Sequence, residues 1–304
     1  ILMSFLSKIN KYGGVVLFNS PNTLTYSLFN FFYNKLIINL KGADEDILSF
    51  HKNGYLKSRI NLSKEIDELK KILNENDVIE KNKATFGFKL NNQSRIVIKK
   101  LLGNPDFLKL KKRLENYFNL KMSLININVT RNFNIPEDEE HKVKFYSNNY
   151  HVDFYLMNYF KIFINLHDVD EKKGPMYLYS KSDTKKFIKK NNFIDRNNYA
   201  VKNEKELGLV KNIGKKGDVF ICSTPQCLHR ASSPAKGQHR DMLFLSFALS
   251  PEIKKDVDDI FFYEKEYEDS IWNNSSELRK KLCKPKSFRK QIKMFIKFAK
   301  FKLV

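Results

Sequence analysis

The chain has 304 residues, 42% of them hydrophobic and 13% aromatic, which excludes a disordered polypeptide and allows one large domain or two small ones. Its three cysteines, Cys222, Cys227 and Cys283, are too few for a disulfide framework and favour a reducing cytoplasm. Lysine and arginine outnumber acidic residues by 55 to 34, which gives a net charge of +21 and favours an anionic partner. The sequence shows no nucleic-acid-binding motif. A generally lysine-rich composition is the alternative explanation of the charge.

Residues 1–44 are predicted to form an N-terminal segment with one amphipathic or docking helix. The apolar stretch at 24–40, LTYSLFNFFYNKLIINL, is interrupted by three asparagines and a lysine. A membrane-spanning helix needs about 20 nearly uninterrupted apolar residues, so we expect no transmembrane segment here.

Regular patterns begin at residue 45. The stretch EDILSFHKNGYLKSRI predicts a short helix, a turn at Asn53-Gly54 and a strand, and NPDFLKLKKRLENYFN predicts a further helix. Between them, SKEIDELKKILNEN predicts a helix with Ser63 as its N-cap. Four apolar side chains share one face of that helix: Ile66, Leu69, Ile72 and Leu73.

After residue 120 the hydrophobic period changes to two, which is typical of strands. In SLININVTRNF this period places Leu124, Asn126, Asn128 and Thr130 on one face and Ile125, Ile127 and Val129 on the other. Five further strands are predicted in YHVDFYLM, YFKIFINLHDV, PMYLYS, GDVFICST and DMLFLSFALS. Helices followed by many short antiparallel strands predict an α+β fold with a β-sandwich or jelly roll as its core.

His151 and Asp153 lie two residues apart in one of these strands. Residues at i and i+2 share a face and sit about 6.6 Å apart, so the imidazole and the carboxylate can converge on one metal ion. A solvated strand face is the alternative, because a single His-x-Asp pattern is weak evidence.

A second group of candidates follows in GDVFICSTPQCLHRASSPAKGQHRDMLFLSFALS. His229 is predicted to end a strand, and a turn at Pro234 and Gly237 would return the chain antiparallel beside it. Period two places Arg240, Met242, Phe244 and Ser246 on a common face. If that face points inward, the buried guanidinium requires an anion, and a ligand carboxylate suits its two-pronged geometry.

Two histidines and one carboxylate form the facial triad of non-haem Fe(II) oxygenases. In the order His151, Asp153, GDVF from Gly217, His229 and Arg240, the chain resembles the phytanoyl-CoA dioxygenase-like branch of the Fe(II)/2-oxoglutarate oxygenases. LHDVDEKKGPMYL at 166–178 and FHKNGY at 50–55 resemble further segments of that family, so the resemblance covers about residues 45–250.

The resemblance implies a double-stranded β-helix (jelly roll) with N-terminal and flanking helices over residues 45–265. It implies that His151, Asp153 and His229 bind Fe(II) and that Arg240 binds the co-substrate 2-oxoglutarate. The implied reaction consumes O2, releases succinate and CO2, and hydroxylates a C–H bond of a small-molecule substrate. Because related halogenases lack the carboxylate, Asp153 favours hydroxylation.

The chain departs from the family at residues 180–183, where SKSD replaces Pro-Gly-Ser-His in a loop that often borders the substrate pocket. The substrate is therefore not carried over. Two other functions stay open: a non-catalytic anion- or membrane-binding jelly-roll protein, and a metal-dependent cupin that needs no 2-oxoglutarate.

Other polar side chains are weaker candidates. Asn126, Asn128 and Ser246 are predicted to help bind 2-oxoglutarate, although polarity at the edge of the sheet explains the asparagines equally well. The remaining histidines and the thiols are given structural interpretations: a surface turn for His167 and Asp168, an outward position for His239, solvated positions for His51 and His141, and buried thiols for Cys222 and Cys227.

Residues 266–304 are predicted to form a basic helical tail. From residue 278 onward the chain contains no acidic residue, and Phe288, Ile292, Phe295 and Ala299 form one helical stripe among lysines. This pattern is typical of a helix lying on an anionic membrane. The alternative is a helix packed on the domain with its lysines in water.

Overall fold

The computed structural model describes residues 38–73, 78–82, 84–135, 148–153, 159–191 and 208–250. The predicted tail, most of the predicted N-terminal helix, His141 and Cys283 lie outside these ranges. The domain division at residues 44 and 265 therefore stays a prediction. Among the described residues, no helix is both long enough and apolar enough to cross a membrane.

Five α-helices lie in the described ranges: α1 Glu45–Asn53, α2 Ser63–Ile72, α3 Asn92–Leu102, α4 Pro105–Phe118 and α5 Lys181–Asn191. The predicted turn after α1 is confirmed, with Gly54 at a φ of 80°. The prediction that Ser63 caps α2 is wrong by one position. Ser63 is the first helical residue, and its backbone N–H donates to the side-chain oxygen of Asn61 at 2.9 Å, so Asn61 stabilises this helix start.

In the part of the chain that the structure describes, ten strands form two antiparallel sheets: β1 Tyr55–Asn61, β2 Val78–Asn82, β3 Thr85–Phe88, β4 Lys121–Phe133, β5 Tyr159–Asn165, β6 Met176–Tyr179, β7 Leu209–Lys211, β8 Asp218–Cys222, β9 His229–Ala231 and β10 His239–Ser250. The large sheet has the order β1-β8-β5-β10-β4-β3-β2, and the small sheet has the order β7-β6-β9. The predicted combination of helices with antiparallel strands is confirmed.

The two faces of the large sheet differ in what covers them. On the outer face, side chains such as Ile162 and Leu245 join residues of α1–α4 in one extensive apolar cluster. On the inner face, Phe163 and Phe220 share a second apolar cluster with Met176 and Leu178 of the small sheet. The small sheet therefore packs against the inner face, and inward side chains of both sheets border the same space.

A β-bulge changes the predicted alternation in β4. Asn126 pairs with Ser246, but the next pair is Leu124 with Phe247, so one residue of β4 is inserted between them. Leu124 lies in the outer apolar cluster with Phe247 and not on the face of Asn126. The prediction for Leu124 is wrong because a bulge reverses the inward and outward alternation on one side of it.

The predicted hairpin between the strand of His229 and that of Arg240 is also wrong. β9 begins at His229 and belongs to the small sheet, where it pairs with β6. β10 crosses to the large sheet and pairs with β4 and β5. The connection at residues 232–238 therefore joins the two sheets.

Candidate metal centre

His151 and His229 are held together by backbone hydrogen bonds. The N–H of His151 donates to the carbonyl of His229 at 3.0 Å, and the reverse bond is 2.9 Å long. The N–H of Asp153 donates to the carbonyl of Thr224 at 3.0 Å. His151 forms only this isolated bridge, so the regular strand predicted at 150–157 is reduced to one pairing in its described part, 150–153.

Both imidazoles are oriented by carbonyl oxygens. Nδ1 of His151 lies 2.8 Å from the carbonyl oxygen of Asn149, and Nδ1 of His229 lies 2.8 Å from that of Cys227. A carbonyl can only accept, so each Nδ1 carries the proton and each Nε2 carries the lone pair that a metal binds.

The predicted triad converges. His151, Asp153 and His229 are 3%, 8% and 5% exposed, and one ligand atom of each lies within 4.8 Å of the others. The two rings are 4.3 Å apart between centroids. Two neutral nitrogens and one carboxylate oxygen form a donor set that fits a divalent transition metal such as Fe(II).

A half-buried cation, Lys161, contacts this triad and was not among the predicted site residues. Nζ of Lys161 lies 2.7 Å from Oδ2 of Asp153, and the lysine side chain is 17% exposed. Burial alone would raise the pKa of Asp153, but the ammonium group of Lys161 lowers it well below its ordinary value. The carboxylate is therefore ionised and ready to bind a cation at neutral pH. The sequence feature that could have identified this lysine is the alternation of side chains in β5, which places Lys161 on the same face as Phe163.

Arg240 faces inward, as predicted, and is 3% exposed. It lies directly opposite Asn132 of β4, a buried amide that continues the predicted row of Asn126, Asn128 and Thr130. The next residue, Asp241, points to the other face, where its carboxylate accepts two hydrogen bonds of 2.8 Å from Arg131.

The other residues predicted to contact 2-oxoglutarate also lie on the inner face, but none of them carries a charge as Arg240 does. Asn126 and Asn128 are half-buried. Ser246 is buried opposite Lys161, and its hydroxyl accepts a hydrogen bond of 2.9 Å from Tyr159. Their contact with a co-substrate stays a prediction.

A second group, His167, His239 and Asp241, also brings three ligand-type atoms within 4.8 Å. Protein groups already engage two of its members. Nε2 of His167 accepts from the N–H of Asp241 at 2.9 Å, while Nδ1 donates to the carbonyl of Asp168 at 2.8 Å. Arg131 holds the carboxylate of Asp241. This group therefore stabilises the start of β10. His167 lies in a bend directly after β5 and Asp168 is exposed, as predicted, but the hydrogen bonds of the His167 ring give it a structural role.

Of the predictions for the thiols and for His51, the first is confirmed and the second is wrong. Cys222 and Cys227 are buried, as predicted. The solvated position predicted for His51 is wrong: its Nδ1 lies 2.7 Å from the hydroxyl of Tyr117, and burial lowers its pKa. In the segment SKSD, Lys181 is the first residue of α5, so most of this segment is helical. The Nζ of Lys181 donates a hydrogen bond to the carbonyl of His51 at 2.8 Å.

Comparison with known proteins gives similarity at the level of solved structures alone. No family model and no curated protein sequence matches the chain. One similar structure is the non-haem α-ketoglutarate-dependent epimerase SnoN of nogalamycin biosynthesis, with 12% identity over 69% of this chain and 82% of SnoN and a TM-score of 0.47.

Two further structures are similar to the same degree. HygX from Streptomyces hygroscopicus, solved with nickel and 2-oxoglutarate, has 12% identity, coverage of 67% of this chain and 86% of HygX, and a TM-score of 0.46. EctD from S. alaskensis, solved with bound Fe, has 11% identity, coverage of 72% of this chain and 80% of EctD, and a TM-score of 0.44.

Proposed function

We propose that the protein is an Fe(II)- and 2-oxoglutarate-dependent dioxygenase that hydroxylates an unactivated C–H bond. One O2 and one 2-oxoglutarate are consumed, one oxygen atom enters the substrate as a hydroxyl, the other enters succinate, and CO2 is released. The convergence of the buried side chains of His151, Asp153 and His229 carries this proposal.

The donor set supports a reactive metal site. His151, Asp153 and His229 would supply three ligands to Fe(II), and such a triad leaves the remaining coordination positions to exogenous ligands. When bound, iron supplies the activation of oxygen. The residues of the chain fix both imidazole tautomers through the Asn149 and Cys227 carbonyls and keep the Asp153 carboxylate ionised.

Arg240 supports 2-oxoglutarate as the co-substrate. Its guanidinium is buried on the inner face of β10, while the acidic neighbour Asp241 is engaged by Arg131 on the opposite face. A guanidinium in such a position can bind a carboxylate bidentately and orient the co-substrate. This feature favours the dioxygenase over a cupin that needs no 2-oxoglutarate.

The proposed fold is a double-stranded β-helix in a phytanoyl-CoA dioxygenase-like protein. Two antiparallel sheets that share an apolar cluster support the jelly roll. The motif order supports the family, because Gly217 precedes β8 and His229 begins β9 next to the His-x-Asp segment. The net charge of +21 supports a small anionic or lipid-linked substrate.

The test is an anaerobic titration of the Fe(II)-loaded protein with 2-oxoglutarate, followed by aerobic measurement of succinate. We expect a metal-to-ligand charge-transfer band and succinate formation in the natural protein. Both should be lost in His229→Ala, which removes a ligand. His239→Ala is the matched control, since its half-exposed ring belongs to the second histidine group, and it should retain both signals.

The outcome also separates the alternatives. Iron binding without the charge-transfer band would favour a 2-oxoglutarate-independent metalloenzyme. Absence of iron binding, or equal signals in His229→Ala and the natural protein, would contradict the proposed metal centre.

A further inference from the structure

Lys161 places a fixed positive charge against one oxygen of the candidate metal ligand Asp153. The two carboxylate oxygens face different groups: Oδ2 lies 2.7 Å from Nζ of Lys161, and Oδ1 lies 3.8 Å from Nε2 of His151. The ammonium is also 5.9 Å from the ring centroids of Tyr159 and Phe244, which border it on the inner face.

This arrangement has two physical consequences for a divalent cation. An oxygen paired with an ammonium is a poor second ligand, so Oδ1, the oxygen beside Nε2 of His151, is the one left to bind a metal ion. In addition, the ammonium repels a cation bound there, and inside a protein such a repulsion is far stronger than in water.

We propose, on the basis of the function proposed above, that Lys161 is a positioning residue of the metal centre. It keeps Asp153 a single-oxygen ligand, and its charge weakens binding of the bare metal ion while strengthening binding of the anionic co-substrate. A divalent ion, Asp153 and Lys161 together carry two positive charges, which a dicarboxylate dianion cancels. Without Lys161 the same centre carries one positive charge and attracts the dianion less.

The test compares Lys161→Met, which removes the charge, with Lys161→Arg, which keeps it. We expect Lys161→Met to bind Ni(II) alone at least about tenfold more tightly than the natural protein, because the repulsion is removed. The Ni(II)-loaded variant should bind 2-oxoglutarate about tenfold more weakly. Lys161→Arg should stay close to the natural protein in both calorimetric titrations.

The opposite signs distinguish this role from simple packing. A lysine that only fills space would change the unfolding temperature and leave both affinities unchanged, or weaken both together. Either result would overturn the proposal. If Lys161→Met does not fold, Lys161→Gln carries the same test, since it retains a hydrogen-bond donor without the charge.

The natural protein provides a measurement that needs no substitution. In its crystal structure with Ni(II), Asp153 should bind through Oδ1 with Lys161 on Oδ2; a carboxylate bound through both oxygens, with Lys161 withdrawn, would overturn the proposal. Failure of the natural protein to bind Ni(II) would instead contradict the proposed function. Binding that His229→Ala abolishes and Lys161→Met leaves unchanged would remove only the role of Lys161.

Discussion

Arg240 and Asp241 are neighbours in the chain, but they lie on opposite faces of β10, and this separation decides what each charge does. The carboxylate of Asp241 accepts hydrogen bonds from Arg131, so its charge is used within the protein, and its backbone N–H donates to Nε2 of His167. Arg240 points into the space between the sheets, where the proposed 2-oxoglutarate binds.

Replacement of Arg240 by alanine should therefore act on the co-substrate. Removing one partner of a buried charge pair costs about 3–5 kcal/mol. We expect Arg240→Ala to weaken 2-oxoglutarate binding by about two to three and a half orders of magnitude, measured by titration of the metal-loaded protein. Metal affinity without 2-oxoglutarate should change little.

Arg113→Ala is the control for this substitution. Arg113 pairs with Asp44 and Asp46 at the start of α1, so its loss should leave 2-oxoglutarate binding unchanged. An unchanged 2-oxoglutarate requirement in Arg240→Ala would remove Arg240 from the site.

The candidate ligands were predictable at the residue scale because their chemistry is visible in residue type and spacing. The sequence predicts His151, Asp153 and His229 as ligands, and the structure brings them together. Lys161 was not identified, because alternation in β5 shows which face a side chain takes but not which residue lies opposite it. Its contact with Asp153 depends on the packing of a segment outside the sheet.

At the scale of elements, the Gly-Asp pair at the start of β8 marks a close contact between three segments. The N–H of Gly217 donates to the carbonyl of Asn165 at 2.8 Å, and its carbonyl accepts from the N–H of Leu62 at 2.9 Å. Gly217 has a φ of 79°, and a Cβ added there would lie 2.3 Å from the backbone nitrogen of Ser63. This position therefore joins β5, β8 and the start of α2.

Gly217→Ala and Gly237→Ala form a matched pair that separates crowding from backbone strain. Gly237 has a φ of 78°, but a Cβ there would meet nothing within 4 Å. We expect Gly237→Ala to lower the free energy of unfolding by about 1 kcal/mol, the strain of a left-handed backbone alone. Gly217→Ala should cost at least about 3 kcal/mol, because backbone atoms must also move. Urea denaturation measures both, and equal losses would contradict the contact at Gly217.

Periodicity predicted most of the strands but not how they combine. The runs around β4, β5, β6, β8 and β10 were identified, whereas the bulge that moves Leu124 to the outer face was not. The expected hairpin at Arg240 failed for a related reason. A turn signal such as Pro234 with Gly237 indicates that the chain changes direction, but the next strand can enter either sheet.

On the scale of the whole molecule, the excess positive charge has at least two possible uses. Lys161 and Arg240 place cations in the proposed site. The lysines after residue 278 instead belong to the predicted basic tail. Positive charges in the proposed site would act on small anions, whereas the lysines of the predicted tail would act on extended anionic surfaces.

Vesicle binding distinguishes these uses. Each lysine near an anionic membrane contributes about 1 kcal/mol, so we expect the full chain to sediment with phosphatidylserine-containing vesicles and not with neutral ones. Deletion of residues 279–304 should abolish this binding without changing Ni(II) affinity. The double variant Lys293→Glu/Lys297→Glu, which keeps the apolar stripe, should weaken it strongly. If the full chain does not bind anionic vesicles, the tail is a packing helix, and the positive charge must be explained by the substrate or by composition alone.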